Sequence, residues 1–195
     1  MPNIRTLLKG EHRLIGSIIG DSFSDDPVNL WIFKHPSGIV SFNTKIAKKL
    51  YIPDGFGHVM DDESGGALWL PPGANKHIPL YKSIDIALSM IRYGGFKSVP
   101  QGMLIDHYLT GKKPKEPHFY LYAIGARKNQ QGKGIGGKLM EAGLARADSE
   151  NMPVYLESTK EANVPFYRRF GFNVIEKTEP GHGCPPLWLM YREAK

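Results

Sequence analysis

Cysteine is nearly missing from this chain: Cys184 is the only one in 195 residues. That excludes an internal disulfide and any cysteine-based metal cluster. Long apolar runs are missing as well, so no stretch is long enough to cross a bilayer, and Met1-Pro2-Asn3-Ile4-Arg5 lacks the charged-then-apolar order of a secretory signal. A cytoplasmic protein without a membrane partner or a bound metal is expected. Acidic residues are in modest deficit, with Lys+Arg 25 against Asp+Glu 19 and a net charge of +6. The basic residues are dispersed, and only Lys45, Lys48, Lys49 and Lys112, Lys113, Lys115 cluster. Dispersed lysine is a solvated face rather than a nucleic-acid footprint, so nucleic acid is not expected as a partner, whereas a phosphorylated small molecule suits the surplus.

The length allows a full core without demanding a second domain, and one α/β domain over residues 1–195 is expected. Ile4 to Leu8 reads as a strand, and Leu14, Ile15, Ile18 and Ile19 recur at helical spacing until Ser24-Asp25-Asp26-Pro27 breaks the pattern. An apolar patch from Val28 to Phe33 ends at Pro36-Ser37-Gly38, and Phe42 to Leu50 resembles a short helix. His58-Val59-Met60 and Ala67-Leu68-Trp69-Leu70 flank an acidic, glycine-containing turn and predict a hairpin. Leu80 to Met90 reads as a helix, with a further helical segment around Met103 to Leu109.

His118 to Ala126 is apolar or aromatic on both alternating faces, the pattern of a strand covered on both sides at the centre of a sheet. After it comes Gln131-Gly132-Lys133-Gly134-Ile135-Gly136, then a helical face of Leu139, Met140, Gly143, Leu144 and Ala147. Glycines in a loop that opens a helix let backbone N–H groups face an anion there. Gly136 and Gly137 each cost the helix about 1 kcal/mol relative to alanine, which suggests that a Cβ there would collide with something. Val154 to Glu157 completes a strand, helix, strand unit with a right-handed crossover, and ligands of such sheets lie at the carboxyl ends of the strands. Asn163 reads as the N-cap of a short helix with Pro165 in its first turn and Gly171 past its end. Asn163 and Tyr167, one turn apart, are expected to project together toward the glycine loop. Two more strands follow, Phe172 to Glu176 and Leu187 to Tyr191.

Three features together resemble the GNAT superfamily of acetyl-CoA-dependent N-acetyltransferases: Gln131-x-x-Gly134-x-Gly136 after a central strand, Asn163 opening a short helix, and Tyr167-Arg168-Arg169-Phe170-Gly171-Phe172 ending it. The likeness spans roughly the last 80 residues. Tyr155-Leu156-Glu157-Ser158, Asn163 to Tyr167 and Trp188-Leu189-Met190 are similar to the puromycin N-acetyltransferase-like branch, as are Phe23 to Pro27 and Ala67 to Pro72. Ala126 and Lys128 depart from the pattern, standing where valine and proline are common.

The resemblance implies an α/β (α+β) fold with a mixed, mostly antiparallel sheet, a splayed parallel strand pair and flanking helices. It divides the chain into an acceptor-side half of about 1–115 and an acetyl-CoA-binding half of about 116–195. Acetyl-CoA is then the co-substrate, held by Gln131, Gly132, Lys133, Gly134, Ile135 and Gly136 at its pyrophosphate. Ile124, Gly125 and Ala126 hold it along the splayed strand, with Gly125 permitting the strand's distortion, and Asn163 and Tyr167 add contacts. Tyr167 is the implied general acid. For the base, Glu157, His118, His182 and a water relay stay open, with Glu157 first. The expected reaction is acetyl transfer to a primary amine of a small molecule by direct attack on the thioester. A protein-amine acetyltransferase and a non-catalytic CoA-binding sensor are the alternatives, and a homodimer is compatible with the sequence.

Overall fold

The computed structural model describes residues 2–74 and 78–195. Seven strands form one sheet in the order β1-β2-β3-β4-β5-β7-β6: β1 Ile4–Thr6, β2 Phe56–Met60, β3 Gly65–Leu70, β4 Phe119–Ala126, β5 Val154–Ser158, β6 Asn173–Thr178 and β7 Leu187–Arg192. All neighbours are antiparallel except β4 and β5. The expected fold class and the central position of β4 are thus observed.

The helices are α1 His12–Ser22, α2 Pro27–Ile32, α3 Pro36–Ile46, α4 Ile52–Asp54, α5 Leu80–Gly94, α6 Ser98–Thr110, α7 Ile135–Ser149 and α8 Val164–Arg168. None is long and apolar enough to cross a membrane among the described residues. They cover both faces of the sheet. On one face α7 and α8 pack Leu139, Met140, Val164 and Tyr167 against Leu121, Ile124, Leu156 and Trp69. On the other, Ile15, Ile18 and Ile19 of α1 meet Leu68, Leu70, Tyr120, Ala123 and Tyr155.

Several boundaries differ from the expectations. Pro36-Ser37-Gly38 starts a helix instead of ending a segment, because proline's fixed φ and missing N–H suit the first helical turn. That helix continues through a π-helical stretch, Ala47–Tyr51, into α4. The apolar patch beginning at Val28 is helical, opened by the Asp26 carboxylate, which accepts from the Asn29 backbone N–H at 2.9 Å. The hairpin is present, but β3 begins at Gly65, since Gly65 and Gly66 admit Ile135 and Ile15 where a Cβ would stand.

Gly125 also serves a different purpose from the one expected. The register of β4 against β3 skips Tyr122, between the Leu68–Ala123 and Trp69–Leu121 pairs, so the bulge lies there. Its consequence is visible in the packing: Tyr122 and Ala123, adjacent in sequence, both belong to the core under α1. Gly125 instead makes room for α1, since a Cβ on it would sit 2.2 Å from Ser22 Oγ.

Candidate active site

β4 and β5 pair only through Phe119–Val154, Tyr120–Tyr155 and Leu121–Leu156. Beyond Leu121 the parallel ladder stops, so Tyr122 to Ala126 and Glu157 to Ser158 diverge. β4 stays in the sheet through β3, and β5 through β7. The open end faces the carboxyl termini of both strands, where the glycine loop begins.

That loop follows a short 3-10 turn, Lys128–Gln130, and is fixed from both sides. The Lys128 N–H donates to Asp21 Oδ2 at 2.8 Å, and the Arg127 guanidinium donates to the Glu63 carbonyl at 2.9 Å. Beyond it, Ile135 is buried against Gly65 and anchors the first turn of α7. Between these anchors Gln131, Gly132, Lys133 and Gly134 are all exposed. Gly132 and Gly134 have φ +80 and +79, in the left-handed region that favours glycine, and no atom lies within 4 Å of where their Cβ would stand. Gly134 is the N-cap of α7, and no side chain caps the helix, so its leading N–H groups remain available to an anion. The Lys133 ammonium donates to Gln130 Oε1 at 2.8 Å and stays at the loop rim.

The expected collision at Gly136 and Gly137 does not occur within the chain. A Cβ at Gly136 would lie 3.4 Å from Phe166 and one at Gly137 3.8 Å from Phe170, which are ordinary contacts. These two phenylalanines bring α8 against the start of α7. Asn163 and Tyr167 do not share surroundings, contrary to expectation. Asn163 closes a 3-10 turn, Glu161–Asn163, occupies the N-cap position without a side-chain cap bond, and is exposed. Tyr167 is only 7% exposed, with its ring edge-on to Phe166 and Phe172. Burial, with the charge of Asp26 second, holds the Tyr167 phenol protonated well above its ordinary range.

Glu157 lies on the opposite face. Its Oε2 accepts from the Tyr120 hydroxyl at 2.6 Å, while Oε1 is buried without a hydrogen-bond partner among the described residues. The hydroxyl of Tyr155, also buried, lies near this carboxylate and has no hydrogen-bond partner within normal distance among the described residues. Tyr51 stacks on Tyr122 at 4.0 Å, and Tyr122 donates to Asn43 Oδ1 at 3.0 Å. The carboxylate is thus enclosed by tyrosines, whose pKa values burial and its charge raise.

His118 stands at the paired end of β4, with Nδ1 2.7 Å from the Glu116 carbonyl oxygen and its ring against Tyr155. That places it at the wrong end of the strand for the open site. His182 is exposed in the β6–β7 loop, whose Gly183 approaches Trp31 of α2. Cys184 in the same loop is buried, and burial pushes its thiol up to about 11.

Asp26 went unnoticed in the sequence beyond its place in a helix-breaking stretch. It is 1% exposed, accepts from Asn29 and from the Thr159 hydroxyl, and so joins α2 to the chain leaving β5. The signal for it was aspartate directly before a helix-opening proline.

Residues 89–172 match the acetyltransferase (GNAT) family. An uncharacterized N-acetyltransferase of Schizosaccharomyces pombe is 27% identical over 94% of this chain and 80% of its own length. A mycothiol acetyltransferase of Corynebacterium aurimucosum is 30% identical over 48% of this chain, a match that spans only 32% of that protein. Among solved structures, a histone acetyltransferase HPA2 and related acetyltransferase from Corynebacterium glutamicum superposes with a TM-score of 0.72 at 22% identity, covering 100% of this chain and 97% of the other. A polyamine N-acetyltransferase of Drosophila melanogaster gives 0.64 at 15% identity, covering 98% and 100%. At these identities the superpositions establish the fold. None of these relatives singles out the puromycin N-acetyltransferase-like branch.

Proposed function

We propose that this chain is an acyltransferase of the acetyltransferase (GNAT) family, whose pattern residues 89–172 match, and that it moves acetyl from acetyl-CoA to a primary amine of a small molecule by direct attack on the thioester. The observation that carries the reading is the open end of the β4–β5 pair, with the uncapped glycine loop directly beyond it. The loop from Gln131 to Gly136 holds the pyrophosphate through backbone N–H groups, and Lys133 adds charge at the rim. Ile124, Gly125 and Ala126 present the backbone that lines the acyl-bearing arm. Asn163, with no cap bond to make, contributes a polar contact.

Attack forms the C–N bond and breaks the C–S bond, so one proton must leave nitrogen and one must reach sulfur. Glu157 is the base: its carboxylate is held by Tyr120 on one oxygen, and the other has no hydrogen-bond partner among the described residues. Tyr167 is the acid, kept in its proton-bearing form by burial. Because the two lie on opposite faces of the sheet, amine and leaving thiolate are served from opposite sides of the gap. Direct attack, without an acetyl-cysteine intermediate, agrees with a single thiol that is buried and protonated at neutral pH.

A small acceptor is favoured over a peptide because α6 is tied down across the sheet. The Tyr108 hydroxyl meets that of Thr178, and Lys112 pairs with Glu176 at 2.6 Å. A thiol-release assay over small amines, polyamines and peptides tests this reading. Turnover with small amines and none with peptides is expected, and turnover with peptides alone overturns the acceptor class. Calorimetry tests the co-substrate separately, since a folded sample that fails to bind acetyl-CoA overturns the whole reading.

A further inference from the structure

A second feature lies away from the open strand pair. A cavity of about 550 Å³ is bounded by the first turn of α1, the end of α3 with its π-helical continuation, α4, and the first half of α5. Its volume falls in the range of small-molecule sites. Ser22, at the far end of α1, lies against Gly125, and the eleven residues of α1 span roughly 16 Å at 1.5 Å per residue. The cavity is therefore a separate site from the one described above.

Its walls carry an unbalanced set of charges. Arg13, Lys45, Lys48 and Lys49 face it with two carboxylates, Asp54 and Asp85, so four fixed cations stand against two anions. Asp85 is engaged with Lys45 at 3.2 Å and Lys49 at 2.7 Å, which fixes both ammonium groups on one wall. Arg13 and Lys48 are exposed and have no hydrogen-bond or ion-pair partner among the described residues. His12, between them, has its pKa lowered by burial and then by the charges of Lys48 and Arg13. Like charges gathered in one concavity with only half as many counter-charges raise its potential. The surplus of two positive charges matches a phosphate monoester, which carries about −1.5 to −2 at neutral pH. A guanidinium among ammonium groups is the donor set that phosphate oxygens suit.

We propose that this cavity binds a small phosphate monoester, with Arg13 and Lys48 as the groups that meet the phosphate. The room beyond the phosphate takes the remainder of the molecule, so an ester binds more tightly than inorganic phosphate. The site does not depend on the acetyl-transfer reading.

Calorimetric titrations with inorganic phosphate and with glycerol phosphate, at constant ionic strength, test the proposal on the full chain. Saturable binding of both is expected, tighter for the ester. The double variant Arg13→Gln, Lys48→Gln should bind each about tenfold more weakly, 1.4 kcal/mol by the usual conversion, while acetyl-CoA affinity stays unchanged. Both side chains are exposed and without a hydrogen-bond or ion-pair partner among the described residues, so the variant should keep the wild-type unfolding midpoint, and Arg13→Lys should retain most of the binding. In the wild type, the His12 imidazole should titrate at higher pH when phosphate is bound, because the anion offsets its cationic neighbours. Equal affinity in wild type and double variant overturns the proposal, as does phosphate binding that is lost on Lys133→Gln instead.

Discussion

Tyr167 and Glu157 differ in how their surroundings commit them. Burial holds the Tyr167 proton, and its hydroxyl makes no hydrogen bond among the described residues, as the proposed role of general acid requires. Tyr167→Phe should leave the packing against Phe166 and Phe172 intact and lower kcat about a hundredfold, the usual size of a general-acid contribution, with acetyl-CoA binding preserved. Glu157→Gln retains an oxygen to accept the Tyr120 hydroxyl but removes the proposed base. Its rate should fall similarly at neutral pH and recover in part as pH rises, because the amine then arrives already deprotonated. A pH–rate profile of the variant parallel to that of the wild type would show that Glu157 takes no proton.

Glycines illustrate how element packing and local conformation make opposite demands of one residue type. In the middle of α1, alanine should stabilise by about 1 kcal/mol over glycine on helix propensity alone. At Gly16, however, a Cβ would stand 2.1 Å from Thr44 Oγ1 and 2.7 Å from the Thr44 backbone of α3. Overpacking of this kind costs about 1–3 kcal/mol, so Gly16→Ala should destabilise despite the propensity gain. Gly20, against Val40, repeats the same close approach one turn on. Gly134→Ala meets no neighbouring atom and pays only for its positive φ, about 1–2 kcal/mol. Denaturant unfolding and acetyl-CoA titration should therefore separate the two. Gly16→Ala should lose stability with affinity intact, whereas Gly134→Ala should lose affinity as the loop changes shape.

Across the whole molecule, tyrosines from both sheet faces are held protonated. Tyr51, Tyr120, Tyr122, Tyr155 and Tyr167 all have raised pKa values, with burial the largest cause in each. A folded-state pKa above the unfolded value of 10.0 means that the native protein binds the proton more tightly. The associated stability is present in full below pH 10 and falls as pH rises beyond it. Alkaline titration should therefore show these five appearing as tyrosinate only together with unfolding. Early ionisation of all tyrosines in a native sample would contradict their burial. The ion pair of Arg192, itself 2% exposed, with Asp148 adds a second constraint at this scale, joining β7 to α7 at 2.7 and 3.0 Å.

The central strand, the glycine loop, the helix after it and the parallel return were legible because each rests on local pattern: two-faced apolarity, left-handed glycines, helical periodicity. The motif at Tyr167 was read from its resemblance to the GNAT superfamily and not from local pattern. What α3 would be was not legible, since a proline before a glycine signals a stop unless the fold continues the chain as helix from that proline. Nor was the reason for Gly125, whose neighbour Ser22 is remote in sequence. The separation of Tyr167 and Glu157 onto opposite faces, the burial of Asp26, and the meeting of His12, Lys48 and Asp85 around one cavity all join distant residues. Sequence by itself determined which segments can form strands, helices and a glycine loop that opens a helix, because those follow from neighbours along the chain. Tertiary structure alone decided where the β4–β5 ladder stops and what stands on each side of the opening. Those outcomes depend on the bulge at Tyr122, on the approach of α1, and on packing between segments that no local pattern connects.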